Sequence, residues 1–387
     1  MDRPTDRCPG VFTTHPGADG HVARIRLLGG RLDPAELAAL AEFALAHGDG
    51  HLEITGRANL QVRGLSADVD PHGLVEAGLV PSPAHDRVRN LMVSPRSGRV
   101  SGHPDLWPVA VAVEAGLLAD PQLARLPGRF LFGFDDGGGD ITVHGPDLGV
   151  IARDDELVEV VVAGRGTSLV IPARHAPAVI LDAASWFTDH RTDHWRIADL
   201  DATRRHALTQ RIAATAGPNV VSTGGDGREQ RRGDLSPLVG WFDQSDGRVM
   251  LGSTLPHGRV PARTAQFFAA VDAPVIVTGD REVVLCDLEE GVAETVVRVL
   301  APMGVIFDAA SPWVQVSSCV GAPGCASSAA DVRSDLEARV VDGEPPTTRE
   351  HWVGCARGCG SPGTHHLRVL AGSDGYERQA VERPRLS

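Results

Sequence analysis

Four of the six cysteines stand in two short stretches, "CVGAPGC" and "GCARGCG", at Cys319, Cys325, Cys355 and Cys359. Five residues separate the first pair, 29 separate the pairs, and three separate the second pair. Thiolates at fixed spacing bind soft metals, and zinc sites favour pairs two to four residues apart, often with histidine. A five-residue gap is wide for a zinc knuckle. It suits a larger object, an iron–sulfur cubane whose corners lie several ångströms apart, with zinc or a disulfide as the alternatives. Gly321, Gly324, Gly354, Gly358 and Gly360 flank the thiols. Lacking a Cβ, they let the backbone come close and aim amide N–H groups at sulfur. The other two thiols read differently: Cys286 as a small core residue in a strand, Cys8 near a loose terminus.

A second set of residues points to anions. In "TGRANLQVRG", Arg57, Asn59, Gln61 and Arg63 alternate with Ala58, Leu60 and Val62. On a strand, one face would carry two guanidiniums and two amides while the other packs. Arg24 and Arg26 could join that face from a neighbouring strand. A solvated outer face is the bland alternative.

These residues need elements to position them. "HVARIRLLGG" alternates, with Ala23, Ile25 and Leu27 on one side. A helix follows from Pro34, with Asp33 as N-cap, Glu36 at the capping-box position and Gly48 just past its end. Leu37, Leu40, Ala41, Ala44 and Leu45 form its expected buried stripe. "HLEITGRANLQVRGL" then returns as a strand interrupted by glycine.

The pattern recurs. "PVIVTGDREVVLCDL" lies on "HLEITGRANLQVRGL" without gaps at a spacing of 223 residues, and upstream "DGRVMLGST" faces "DGHVARIRL". That period is too long for a solenoid and reads as a duplicated domain. The second copy replaces Arg57, Asn59, Gln61 and Arg63 with Asp280, Glu282, Val284 and Cys286. The duplicated scaffold therefore folds without the polar face, and an anionic ligand is the plain reason for the first copy to carry it.

Between the copies, "RNLMVSPRSG" reads as a loop, "GRFLFGFDDGGGDITVHG" as a hairpin, "HAPAVILDAASWFTDH" as a helix, and "ADLDATRRHALTQRIAATAGPN" as a helix stopped at Gly217-Pro218. "VVSTGGDGREQRRGDLSP" reads as a mobile linker. The expected units are 8–67, 84–198, a helix and linker over 199–237, 238–300 and a cysteine region over 301–378.

Composition narrows the function. All 37 basic residues are arginine, and the formal net charge is −13, which argues against nucleic acid as a general partner. No run of 18 apolar residues predicts a membrane span, and the first residues have no apolar leader core, so the expected location is the cytoplasm, where thiols stay reduced. No G-x-G-x-x-G opens a helix after a strand.

The cysteine pattern after a duplicated half-domain resembles the sirohaem nitrite and sulfite reductases. "ITGRANLQVRGL", "RVRNLMVSPRSG" and "LPGRFLFGFDDGGGDI" resemble further blocks of that family, and the match covers nearly the whole chain. The resemblance implies an α+β fold: duplicated ferredoxin-like half-domains with two larger nitrite/sulfite reductase-type α/β domains, the C-terminal one carrying an iron–sulfur cluster. It implies that Cys319, Cys325, Cys355 and Cys359 hold one [4Fe–4S] cluster, with Cys359 the residue that bridges to sirohaem iron in the reductases. Arg89 and Arg129 match basic residues of the family's distal pocket, while a third basic position falls at Leu131.

The opening "RCPGVFTTHPGADGHVARIRLLGGRL", the loop "CVGAPGCASS" and "HWVGCARGCGSPG" look closer to one branch, the precorrin-3B synthases of aerobic cobalamin synthesis. That branch, as the resemblance implies, uses dioxygen and electrons originating in NADH to hydroxylate precorrin-3A at a meso carbon. A ring-A acetate then closes a γ-lactone. The expected partners are a tetrapyrrole polycarboxylate, dioxygen and a separate electron-donor protein, with the chain a monomer. Arg57, Asn59, Gln61, Arg89 and Arg129 are the expected substrate-binding residues. A mononuclear non-haem iron would need ligands from His15, His351, His365, His366, Asp135 and Asp136. The competing readings are a sirohaem-dependent sulfite or nitrite reductase, and a non-catalytic electron carrier or zinc-stabilised scaffold.

Overall fold

The computed structural model describes residues 6, 8–221, 235–343 and 345–382. The segment "GGDGREQRRGD", expected as a mobile linker, lies outside the described residues. Among the described residues no helix is long and apolar enough to cross a membrane.

The duplication is visible in the sheet topology. The first sheet runs in the order His15–Gly17, Gly20–Ile25, Leu60–Leu65, His51–Ile54, then Arg259–Pro261 from the second copy. The second runs Gly240–Asp243, Val249–Thr254, Glu282–Leu288, Val275–Val277, then Arg31–Leu32 from the first copy. Each copy thus lends one short strand to the edge of the other. The helices Pro34–His47 and Ala262–Ala269 pack together, and Leu37, Leu40 and Ala44 share one core with Ala265 and Phe268. Burying both inner faces in one core makes the pair a single folding unit.

Equivalent hydrogen bonds fix the correspondence. Thr55 N–H donates to Asn59 O at 2.8 Å, and Thr278 N–H to Glu282 O at 3.0 Å. Ala58 and Arg281 both hold positive φ, at 52° and 68°. The spacing of 223 therefore stands in this hairpin. "HLEITGRANLQVRGL" is not one interrupted strand, however: it is two antiparallel strands around a turn at 55–59. The upstream alignment also shifts by one residue. Gln61 pairs with Arg24, and its mate Val284 pairs with Gly252, so Arg24 corresponds to Gly252 and not Leu251.

The helix begins where expected, with Glu36 Oε2 accepting from Asp33 N–H at 2.8 Å. Leu45 is an error in the expected stripe: it is 48% exposed, and Phe43 is buried instead. Leu37, Leu40, Ala41 and Ala44 keep the three-to-four residue rhythm, and Leu45 falls a further hundred degrees or so round the helix, toward solvent.

The middle sheet orders its strands Arg165–Pro172, Leu157–Val162, Leu148–Ala152, Phe132–Asp135, Leu91–Val93. "RNLMVSPRSG" is therefore not all loop, since Leu91–Val93 pairs parallel with Phe132–Phe134. Nor is "GRFLFGFDDGGGDITVHG" a hairpin. Phe132–Asp135 and Leu148–Ala152 are parallel, and Asp135 explains why. Its carboxylate accepts from the amides of Gly137, Gly139, Ile141 and Thr142, folding the glycine run into a compact loop that turns the chain away from a return strand. The helix Ala202–Ala216 packs Leu208, Ile212 and Ala216 into this domain's core beside Ala176–His190.

The C-terminal sheet repeats the middle one. Val316–Ser318, Glu350–Val353 and His366–Gly372 are parallel, and Gly375–Val381 is antiparallel. Ser94 N–H donates to Phe134 O at 3.0 Å, and Cys319 N–H to Trp352 O at 2.9 Å. Asp136 N–H donates to Ser94 Oγ at 3.1 Å, as Gly354 N–H does to Cys319 Sγ at 3.3 Å. The pseudo-twofold relation thus spans the molecule, and Cys319, the first of the four grouped cysteines, stands where the other half has a serine.

Candidate functional site

The two cysteine loops leave the ends of adjacent parallel strands. Cys319 follows Val316–Ser318, and Cys355 follows Glu350–Val353. All six cysteines are free thiols. Burial, and then the nearby Cys319, Cys355 and Cys325, push the Cys359 thiol up, so the four cysteines lie in one neighbourhood. No three of them lie within 4.8 Å of one another. Four thiolates on one zinc would stand about 3.8 Å apart, given a Zn–S bond near 2.3 Å. The donor set is all sulfur and lined by glycine. It fits a cubane, and Cys319, Cys325, Cys355 and Cys359 would each hold one iron. The N–H···S bond expected of the glycines is present at Gly354.

The polar face of the first sheet looks onto these loops. Arg63 donates to Asp19 through Nε and Nη2 at 2.9 and 2.8 Å, and to Gly324 O at 3.0 Å. Arg24 Nη2 donates to Gln61 Oε1 at 3.2 Å, and Gln61 Nε2 to Glu53 at 2.8 Å. Glu53 also takes Arg333, from the helix after the first cysteine loop, at 2.6 Å. Arg57 sits in the turn, donating to Gly128 O at 3.4 Å.

Four guanidiniums crowd this corner. Burial, then Arg196 and Arg24, lower Arg57 to about 10. Burial and Arg24 lower Arg26 to about 9. Burial also lowers Arg24. Like charges held together out of water raise each other's cost, and an anion placed among them relieves it.

The remaining expected residues divide. Asn59 is buried, its Oδ1 accepting from Leu27 N–H and its Nδ2 donating to Asn90. Arg89 turns to Glu114 at 3.0 Å and to the carbonyls of Arg26 and Leu79. Arg129 is exposed and lies over the Trp195 ring at 5.5 Å. Leu131 is 1% exposed, packed with Ala58, Met92 and Ile141, and offers no surface to a ligand. His351 uses both ring nitrogens, on Ser317 Oγ and Cys359 O. Among the described residues the candidate histidines join no group of three close ligand atoms; the one such group is Asp135, Asp136 and Asp140, and Asp135 is already taken by the loop amides.

Sequence reasoning missed Arg196, Trp195 and Asn90. Arg196 reaches the corner through buried Asp147, at 2.5 Å. Asn90 accepts from Arg26 Nε and donates to Gly128 and Phe130. The one available signal is Asn90 beside Arg89 in "RVRN"; nothing local marks Arg196.

The second copy behaves as the internal comparison requires. Val284 and Cys286 are core residues, Glu282 caps Leu238 N–H, and Asp280 pairs with Arg349 at 2.6 Å. A cavity of about 330 Å³ lies here, lined by Asp280, Val314, Gln315 and Arg349. By strand register these correspond to Arg57, Arg89, Asn90 and Leu131. One side of the pseudo-twofold carries a cluster of arginines, the other an internal ion pair.

Comparison with known proteins agrees with this architecture. Residues 15–71 match the nitrite/sulfite reductase ferredoxin-like half domain. The chain is similar to a precorrin-3B synthase from Sinorhizobium sp, 25% identical over 402 positions, covering 95% of this chain and 81% of the relative. It is also similar to the solved structure of the Mycobacterium tuberculosis NirA protein, with a TM-score of 0.72, 17% identity, and coverage of 93% of this chain and 73% of that one. The chain has the nitrite/sulfite reductase fold, and the resemblance read from its motifs extends over nearly its full length.

Proposed function

We propose that this relative of precorrin-3B synthase performs that enzyme's reaction: oxygen-dependent hydroxylation of precorrin-3A at a meso carbon with γ-lactone formation. The observation that carries the reading is the one-sided arginine corner of the first half-domain, whose sheet also holds the first cysteine loop through Arg63. A fold that needed these charges only for stability would carry them in both halves.

The residues divide the work. Cys319, Cys325, Cys355 and Cys359 would hold a [4Fe–4S] cluster, which when bound supplies one-electron transfer. Arg57, Arg24 and Arg196 would bind the acetate and propionate carboxylates, and Gln61 would hold Arg24 in place. Arg129, exposed over the Trp195 ring, would offer the macrocycle a cation beside an indole face, which suits a flat ring. Holding the ring-A acetate against the reacting carbon removes the entropy cost of lactone closure. The reaction balances with one oxygen atom entering as the hydroxyl and the other leaving as water, with two electrons and two protons from an external reductant. A separate donor protein would deliver those electrons.

Protein purified without oxygen should contain about four irons and four sulfides per chain and show a broad visible shoulder, without a sirohaem band. A sirohaem Soret band in that spectrum would overturn the reading in favour of a sulfite or nitrite reductase.

A further inference from the structure

Both cysteine loops are held by arginines that reach across from the duplicated sheets. Arg63 Nη2 donates to the carbonyl of Gly324, the residue before Cys325, at 3.0 Å, while its fork grips Asp19. Arg281 Nη2 donates to the carbonyl of Gly360, the residue after Cys359, at 2.6 Å. A third donor comes from within the C-terminal sheet. His351 Nε2 meets Cys359 O at 2.9 Å, so it carries the proton, and Ser317 donates to Nδ1 at 2.8 Å.

Arg63 and Arg281 are both buried, one from each half-domain. Neither has a basic mate: Cys286 stands opposite Arg63, and Ala58 opposite Arg281. The positive φ of Arg281 is shared by Ala58, so the turn shape belongs to the duplicated scaffold and the guanidinium is the addition. Burial of a cation is costly, and its protonated form is retained here against that cost and the repulsion of Arg349, with Asp280 opposing both.

We propose that Arg63 and Arg281 are positioning residues for the four-thiolate site, fixing its two loops to both half-domains and holding its reduction potential up by their charge. This rests on the reading that the thiols hold a [4Fe–4S] cluster. A fixed cation nearby favours the more negative, reduced form.

The test uses wild type and the variants Arg63→Met, Arg281→Met and Arg281→Lys, purified anaerobically. Two quantities are read: the rate of iron release to a chelator, and the midpoint potential in an EPR-monitored titration. Each methionine variant should release iron about tenfold faster or more and show a lower potential. Arg281→Lys, which keeps the charge but not the fork, should keep the potential and still release iron faster. Release rates and potentials equal to wild type in both methionine variants would overturn the proposal. If a methionine variant folds poorly, Asp19→Asn loosens Arg63 without removing its charge; iron release at the wild-type rate there overturns the role of Arg63. Wild-type protein carrying zinc, or no metal, would overturn the cluster reading and this proposal together, before any variant is made.

Discussion

Glu282 shows what a single buried charge does in this molecule. Burial, and then the neighbouring Asp280 carboxylate, push its carboxyl up from 4.5 to about 7, although Leu238 N–H and the Thr278 hydroxyl both donate to it. Between those two values the folded protein keeps a proton that the unfolded chain has lost. Stability therefore falls as pH rises through that window. Glu282→Gln cannot ionise, so its constant hydrogen-bond loss is independent of pH. Wild-type stability relative to the variant should drop by about 2 kcal/mol between pH 5 and pH 8, measured by urea unfolding at each pH. A gap that does not change with pH would contradict the assignment. At this scale legibility was uneven. The four cysteines declare themselves because thiols are rare and their spacing is unusual. Arg196 and Arg281 do not, because each is one arginine among 37 basic residues, and only the fold brings it to the site.

At the scale of elements, the exchanged strands explain the glycines. Gly29 and Gly30 hold φ of 59° and 75° just before Arg31–Leu32, and His257 and Gly258 hold 61° and 64° just before Arg259–Pro261. The left-handed turn sends each short strand across to the other sheet. Gly30 O accepts from Val277 N–H at 2.9 Å, and a Cβ on Gly30 would stand 2.0 Å from Val277 O. Both the backbone sign and the contact oppose a side chain, and the neighbour is backbone that cannot swing away. Gly30→Ala should cost about 3 kcal/mol or more, seen as a lower urea midpoint with the slope unchanged. A midpoint equal to wild type would show that the strand exchange does not depend on this turn. The half-domain repeat was readable because its hairpin kept Thr-Gly and the final Leu. The exchange itself was not, since a two- or three-residue strand leaves no periodicity. The bulges in the upstream strands hid the one-residue shift, and the repeat of the larger domains was hidden because strand order is retained there while the loops diverged, as Ser94 against Cys319 shows.

The whole molecule is acidic, with a formal charge of −13, yet it gathers Arg24, Arg26, Arg57 and Arg196 at one corner of its first half, beside Cys8. That contrast separates the two halves of a nearly symmetric molecule. One half gathers cations; the other lines a cavity with the ion pair of Asp280 and Arg349. The sequence-level comparison of the two copies anticipated this asymmetry, because the change from Arg57 to Asp280 can be read directly. The geometry adds that Arg63 of the same sheet holds the first cysteine loop through Gly324 O. A ligand rich in carboxylates is the partner this arginine corner suits. The most direct test is incubation of anaerobically purified protein with precorrin-3A, a reductant and ¹⁸O₂, followed by mass analysis of the product. One ¹⁸O atom in the new hydroxyl, with the lactone oxygens unlabelled, is the result expected. Product without label, or no product from protein that carries its full iron and sulfide, would contradict the account.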